Sequence, residues 1–375
     1  MSSPIQYYNG SGWTDVTPVG NISVAYGISG MGTSGVSTRS LHFDAGAEWI
    51  SLSERCAIAA PDGHVYYINN RSGGINSASF DCVDGCALLD QAIDLSNAAP
   101  SGQVVPGADN RYKMDNSYLG ADVIVSQIYT GCGISVISLT APEAYGFKRA
   151  TIEGMTYMEL LTNLSEIHCG FYTMTSSNTL GFIPLKETGQ RSVWVYGRDE
   201  QHGGRDLIDH SHVIITGQYT LSNVLIQGRK DTDHNTSYTL YPYTIFSVST
   251  YNMLEINNCF SEFADPSEFP VGTTYVGWRC DNVLTIPPPL GQWVKFQENG
   301  RFSQDLRVTD VSARYIGGQW LTSMSGGLPS GGEIQRRSRR QMETDKKITA
   351  NQTGFEHVFT PYQDYYKEKE DEQSG

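Results

Sequence analysis

The sequence predicts a β-dominated α+β chain: two β-barrel domains, a small inserted α+β domain, and a C-terminal helix with a tail. Three observations lead there. Short runs rich in β-branched and aromatic residues, bounded by Gly, Asp and Asn, fill residues 1–83 and return over 186–325. Between them, over 84–185, the apolar spacing becomes helical. The composition agrees: 39 Gly, 22 Tyr and 18% charged residues in 375, against about 25% charged in an average domain.

The first domain, 1–83, rests on NISVAYGIS, TRSLHFD, EWISL and HVYYI. Polar and apolar residues alternate in Ser40-Leu-His-Phe43, as a half-buried strand requires. A compact antiparallel barrel or sandwich is the natural product.

The inserted domain, 84–185, carries helical patterns at Cys86 to Leu95, Asp122 to Thr130 and Tyr157 to Cys169. Asp122 is the predicted N-cap of the second, which Gly131 and Gly133 close. A Gly-, Pro- and Asn-rich loop, Asn97 to Asn116, separates the first two. The third is legible almost residue by residue. Thr156-Tyr-Met-Glu159 has capping-box form. Tyr157, Leu160, Leu161, Leu164 and Ile167 then make one apolar stripe. Gly170 is the expected left-handed terminator. Phe171 to Met174, a Ser-Ser-Asn turn and Thr179 to Ile183 read as a hairpin.

The second barrel domain, 186–325, has strand runs RSVWVYG, HVIITGQYTLSNVLIQGR, SYTLYPYTIFSVS, YVGWRC, QWVKF and LRVTDVSARYIG. A short insertion is expected at 258–280. Residues 326–375 read as a Gly-rich linker, a basic helix over Glu333 to Lys347, and an acidic tail. Arg336, Arg337, Arg339 and Arg340 are the candidate interaction residues. In so acidic a chain they suit an interface better than a polyanion site. Glu368, Glu370, Asp371 and Glu372 are possible partners, from the same or an adjacent chain.

A net charge of −14 argues against nucleic-acid binding, which needs a basic surface to displace phosphate counterions. No run of about 18 apolar residues suggests membrane insertion. The N-terminus lacks the basic and apolar regions of a secretory signal, so folding in a cytoplasm is expected. The seven cysteines are then expected to be free and mostly buried.

Catalytic and cofactor motifs do not develop. Gly30-Met-Gly-Thr-Ser-Gly35 fits the dinucleotide fingerprint, but a strand follows where the pyrophosphate-binding helix is needed. His210 and His212 share a strand face at a spacing seen in metal sites, yet no third ligand has fixed spacing. Cys82 and Cys86 lack the partner pair of a zinc ribbon. No Gly-x-Ser-x-Gly elbow or His-Glu-x-x-His occurs. The expectation is no enzyme, no cofactor and no metal. The many Tyr and six Trp residues keep open an alternative, a carbohydrate-binding or glycan-processing β-protein, although the Trp residues are dispersed and mostly lie within strand patterns, which favours core packing.

Four stretches, in order, resemble the phage tail-tip or baseplate hub family shared with contractile injection systems. They are Tyr66 to Ile68 with SFDCVDGCALLDQAIDL, then VSQIYTGCGISV, then TYMELLTNLSEIHCGFYTMTSSNTLGFIPL, then PPPLGQWVKF. In the last, Gln292 stands where that family usually has an acidic residue. The resemblance implies a homotrimer with two barrels per chain. Such a trimer adapts a sixfold tail tube to a threefold spike or fibre and closes the tube end. Implied partners are the tail tube, distal tail or baseplate, tape-measure and spike or fibre proteins. The implied location is the virion tail tip, assembled in a bacterial cytoplasm. Family members often continue into a hydrolase or receptor-binding part; here the residues after Gly326 are too few for one.

Overall fold

The computed structural model describes residues 3–28, 35–95, 118–137, 147–148, 152–176, 178–186, 192–197, 206–208, 211–221, 223–229, 236–241, 250–257, 266–298, 301–327, 334–338 and 360–361. Strands dominate it, with two α-helices, α1 (Ala121–Cys132) and α2 (Tyr157–Ile167), among those residues.

The largest element is an eleven-stranded sheet built from both ends of the chain. From one edge its strands are Val213–Thr220, Thr274–Leu284, Gln319–Gly326, Asp310–Ile316, Ile22–Gly27, Ser40–Gly46, Ser77–Asp84, Val65–Gly73, Ala57–Ala59, Ile5–Tyr8 and Trp13–Val16. The early and late segments meet where Val24 lies opposite Ala313 in an antiparallel ladder. The strand path is open: no closed barrel forms among the described residues. The strand-forming runs were therefore legible, while their grouping into two closed barrels is not seen.

Alternation explains which face is buried. In Ser40–Gly46, Leu41, Phe43 and Ala45 point inward, while Ser40 and His42 are exposed. Phe43 lies opposite Phe80 on the next strand, and their rings stack at 5.0 Å. Such an aromatic pair adds about 0.5–1.5 kcal/mol beyond area burial. Ile22, Val24, Tyr66, Ile68, Val311 and Ala313 continue the same core.

A second core gathers the α+β elements. Leu160, Leu161, Leu164 and Ile167 of α2 are fully buried there, with Ile124 and Ile128 of α1. The hairpin Gly170–Ser176 and Thr179–Pro184 lies beside α2. Short strands Val36–Ser37 and Ser135–Val136 add in parallel on its two sides. Phe269 and Tyr275, distant in sequence, also enter this core.

Several local expectations need correction. The predicted helix from Cys86 is a 3-10 turn, Gly85–Leu89, followed by extended chain. Its continuation is lost to tertiary bonding: Ile93 N–H donates to Met155 O, and Tyr157 N–H donates to Gln91 O. Helix α1 begins after Gly120 rather than at an Asp122 cap, and ends at left-handed Gly133 (φ 70°). The left-handed residue after α2 is Cys169 (φ 49°), not Gly170, which already belongs to the strand. Ile334–Ser338, predicted helical, is a strand antiparallel to Thr250–Asn257. Its backbone groups pair across the ladder, and that tertiary pairing overrides a weak helix propensity. The loop Asn97 to Asn116 lies outside the described residues.

Candidate interaction surfaces

The features that could meet another molecule are built on the ends of the large sheet. At one end, Val213–Thr220 pairs only with Thr274–Leu284, leaving its other side unpaired among the described residues. Ile214 and Ile215 on it are 42% and 49% exposed. A register shift between Ile215 and Gly217 interrupts the ladder there. At the other end, among the described residues, Trp13–Val16 pairs only with Ile5–Tyr8. Trp13 sits opposite Tyr8, with ring centroids 5.5 Å apart and both side chains exposed. Unpaired N–H and C=O groups along such strands are templates for another strand.

A buried polar junction holds this sheet to its neighbours. Arg39 is almost fully buried, and its guanidinium carbon lies 3.9 Å from the Tyr26 ring centroid. Arg39 Nη1 is 3.9 Å from Asp62 Oδ2, and Tyr66 donates its hydroxyl to that same oxygen at 2.5 Å. Asp84 accepts from the backbone N–H groups of Arg39 and Cys86, each at 3.1 Å. Tyr26 donates to Pro288 O at 2.6 Å, which reaches 262 residues along the chain. Burial pushes the Asp84 carboxyl up to about 6 and holds the His64 imidazole down at about 4, with Arg39 adding to the latter. Burial also raises the Tyr26 and Tyr66 phenols well above their usual range. With its members buried and bonded to one another, the cluster reads as a structural clamp.

The α+β core carries a second polar lock. The capping box predicted from sequence is formed: Thr156 Oγ1 accepts from Glu159 N–H, and Glu159 accepts from Thr156 N–H. At the other end of α2, His168 Nδ1 lies 2.6 Å from Glu268 Oε2. That contact ties the helix to the short turn Pro266–Glu268 and seats Phe269 in the core. Ser165, fully buried on α2, accepts from Gly35 N–H.

Between the hairpin and the sheet edge lies a cavity of about 580 Å³. Phe171, Val276 and Trp293 give it apolar walls, and Gln218, Asp305 and Arg307 give it polar ones. Arg307 is engaged, donating to the carbonyls of Pro184 and Leu185. Lys295 and Asp305 form an ion pair at 3.0 Å.

The predicted sites distribute unevenly over this frame. Arg336 and Arg337 sit in the strand Ile334–Ser338, opposite Asn252 and Tyr251. Arg339 and Arg340 lie outside the described residues, as does His210. His212 is exposed at the start of the edge strand. Among the described residues, no group of three His, Cys, Asp or Glu could hold a metal ion. Strands Val36–Ser37 and Ser40–Gly46 follow Gly35, so the dinucleotide-binding geometry does not arise. Cys82 and Cys86 are free and buried at the strand–turn junction. Gln292 donates to Ser192 O at 2.7 Å, a structural use of its amide. Trp278 and Trp320 are buried, whereas Trp13 and Trp194 are partly exposed. No described helix is long and apolar enough to cross a membrane.

The Arg39–Asp62–Tyr66–Asp84 junction was missed in the sequence. Its members are spread over strands and turns with no fixed spacing, so no motif marks them.

No protein-family model matches the sequence, and no curated protein is detectably related to it. Solved structures are similar. One is the 43 kDa tail protein of prophage MuSo2 from Shewanella oneidensis, at 14% identity and a TM-score of 0.50, covering 88% of this chain and 99% of that one. Another is a tail protein from Neisseria meningitidis MC58, at 10% identity and a TM-score of 0.50, covering 89% of this chain and 99% of that one. At such identities the likeness establishes a shared fold.

Proposed function

We propose that this chain is a structural hub of a phage-type tail tip or baseplate. The carrying observation is the fold likeness to two phage-type tail proteins, which spans nearly the whole of each. The order of the four sequence stretches supports the same reading independently. The hub forms a homotrimer, adapts the sixfold tube to a threefold spike or fibre, and closes the tube end. Its partners are the tube, the distal tail or baseplate, the tape-measure protein and the spike or fibre. Its role is mechanical rather than catalytic, and it works at the virion tail tip.

The geometry suggests how copies would join. Each chain offers two edge strands at opposite ends of one sheet, Val213–Thr220 and Trp13–Val16, each with one side unpaired among the described residues. Different patches meeting head to tail make a heterologous contact, which generates a closed ring when the rotation closes. Two barrels per chain, in this proposal, arise only in that ring, where neighbours complete the open sheet. The buried Arg39 junction keeps the sheet rigid enough to hold its edges in register.

The test is assembly. The purified chain mixed with its tail-tube protein should form a complex of defined stoichiometry, three hub chains to one tube end. Failure to bind any tail component, with the chain folded, would overturn the reading.

A further inference from the structure

The turn Asn9-Gly-Ser-Gly12 joins Ile5–Tyr8 to Trp13–Val16 at one end of the large sheet. Asn9, Gly10 and Ser11 are exposed. Three donors converge on the side-chain carbonyl oxygen of Asn9: Ser11 N–H at 2.9 Å, the Ser11 hydroxyl at 2.9 Å and Gly12 N–H at 3.0 Å. Asn9 Nδ2 donates to Thr14 Oγ1 at 3.0 Å, so the whole amide is held in place. Asn9 N–H donates to Gly12 O at 3.0 Å and closes the turn.

This set polarises one carbonyl. Donors aimed at an oxygen where negative charge develops stabilise addition to its carbon. The nucleophile in reach by covalent connection is the backbone nitrogen of Gly10, which closes a five-membered ring when it bonds to Asn9 Cγ. Gly10 has φ +92°, and the space that a Cβ would occupy is empty. No side chain of its own therefore shields that nitrogen from hydroxide. Among the described residues, Gly10 N–H donates to no acceptor, so removing its proton breaks no hydrogen bond.

We propose that Asn9 is a site of spontaneous deamidation promoted by the folded turn. Hydroxide takes the Gly10 N–H proton, and the nitrogen attacks Asn9 Cγ. The charge that moves onto Oδ1 is met by the Ser11 and Gly12 donors. The new N–Cγ bond forms, the Cγ–Nδ2 bond breaks, and Nδ2 takes a proton from water and leaves as ammonia. Water then opens the cyclic imide at either carbonyl, which leaves aspartate or isoaspartate; nothing is oxidised or reduced. The product carries a new negative charge and has lost the donor to Thr14. The isoaspartate form also adds a methylene to the main chain between Tyr8 and Trp13, which face each other across the ladder. In the proposed hub this edge meets a neighbouring copy, so conversion removes aged chains from assembly. That consequence rests on the hub reading; the chemistry does not.

The experiment compares the full chain with a synthetic peptide spanning residues 4–17, both incubated at mildly alkaline pH. Conversion at Asn9 is read by the mass gain of the digested peptide and by enzymatic methylation of isoaspartate. The full chain should convert at least as fast as the peptide, which does not hold the turn. Ser11→Ala removes one donor to Oδ1 and should slow conversion in the chain about threefold, while the same change in the peptide should have no effect. Ser11 is exposed, and equal thermal midpoints of the two chains check that the fold is kept. Slower conversion in the chain than in the peptide, or equal rates for the Ser11→Ala and parent chains, overturns the proposal. Light scattering of fresh and converted chain reads the consequence separately: unchanged assembly after conversion overturns the link to the hub contact and leaves the chemistry standing.

Discussion

The Arg39 guanidinium lies over the Tyr26 ring, 3.9 Å from its centroid, while the Tyr26 hydroxyl bonds to Pro288 O on a remote part of the chain. A charge that is almost wholly buried is thereby held between an aromatic face and the Asp62 carboxylate. Leaving one member of such a set without the other is costly. Arg39→Met should destabilise the chain by about 3–5 kcal/mol, because Asp62 loses its buried counter-charge. Arg39→Met combined with Asp62→Leu should recover much of that loss. Urea unfolding of the two variants checks it; a double variant no more stable than the single one would contradict the pairing.

His64 and Asp84 give this junction a pH dependence with opposing signs. The folded chain holds His64 at about 4, below its ordinary 6.5. The unfolded chain binds that proton more readily, so stability is lost as pH falls through this window. The folded chain holds Asp84 at about 6, above its ordinary 3.8. The folded chain binds that proton more readily, so stability is lost as pH rises from 3.8 to 6. The two effects offset between about 4 and 6. Asp84→Asn should therefore unmask an acid-side loss of up to about 3 kcal/mol, and His64→Gln should unmask the opposite slope. Unfolding free energies measured at a series of pH values decide this. Parallel curves for all three proteins would sink the assignment.

Gly170 has no room for a side chain. A Cβ there would lie 2.1 Å from Phe182 Cζ and 2.7 Å from Ile183 O. Gly170→Ala should cost about 1–3 kcal/mol through overpacking, and the loss should appear as a lower thermal midpoint. An unchanged midpoint would mean that the strand pair yields easily.

Thr156 caps α2 through its hydroxyl. Thr156→Ala should cost about 0.5–2 kcal/mol, and Thr156→Ser should cost less. Hydrogen exchange should localise the loss to the first turn of α2, with the large sheet still protected.

What the sequence disclosed follows from how local each signal is. The capping box, the apolar stripe of α2 and the hairpin after it are encoded within about 30 neighbouring residues of one stretch, Thr156 to Leu185, and were read correctly. Strand runs were equally legible, because alternation is a local property. Strand order was not: Ile22–Gly27 pairs with Asp310–Ile316 across most of the chain, and no local pattern encodes that partner. Ile334–Ser338 shows the same limit from the other side. Its local sequence favoured a helix, and a distant strand decided otherwise. Gly170 was read as a left-handed terminator because glycine serves both roles; its actual reason is Phe182, packed against it from the partner strand. The buried junction was invisible for want of any spacing rule relating Arg39, Asp62, Tyr66 and Asp84.

The central claim is that copies of this chain assemble into a threefold hub. Light scattering of the purified chain over a range of concentrations tests it most directly. The account predicts a species near three times 41.3 kDa, alone or on adding the tube protein. A monomer at every concentration, unchanged by the tube protein, would contradict it.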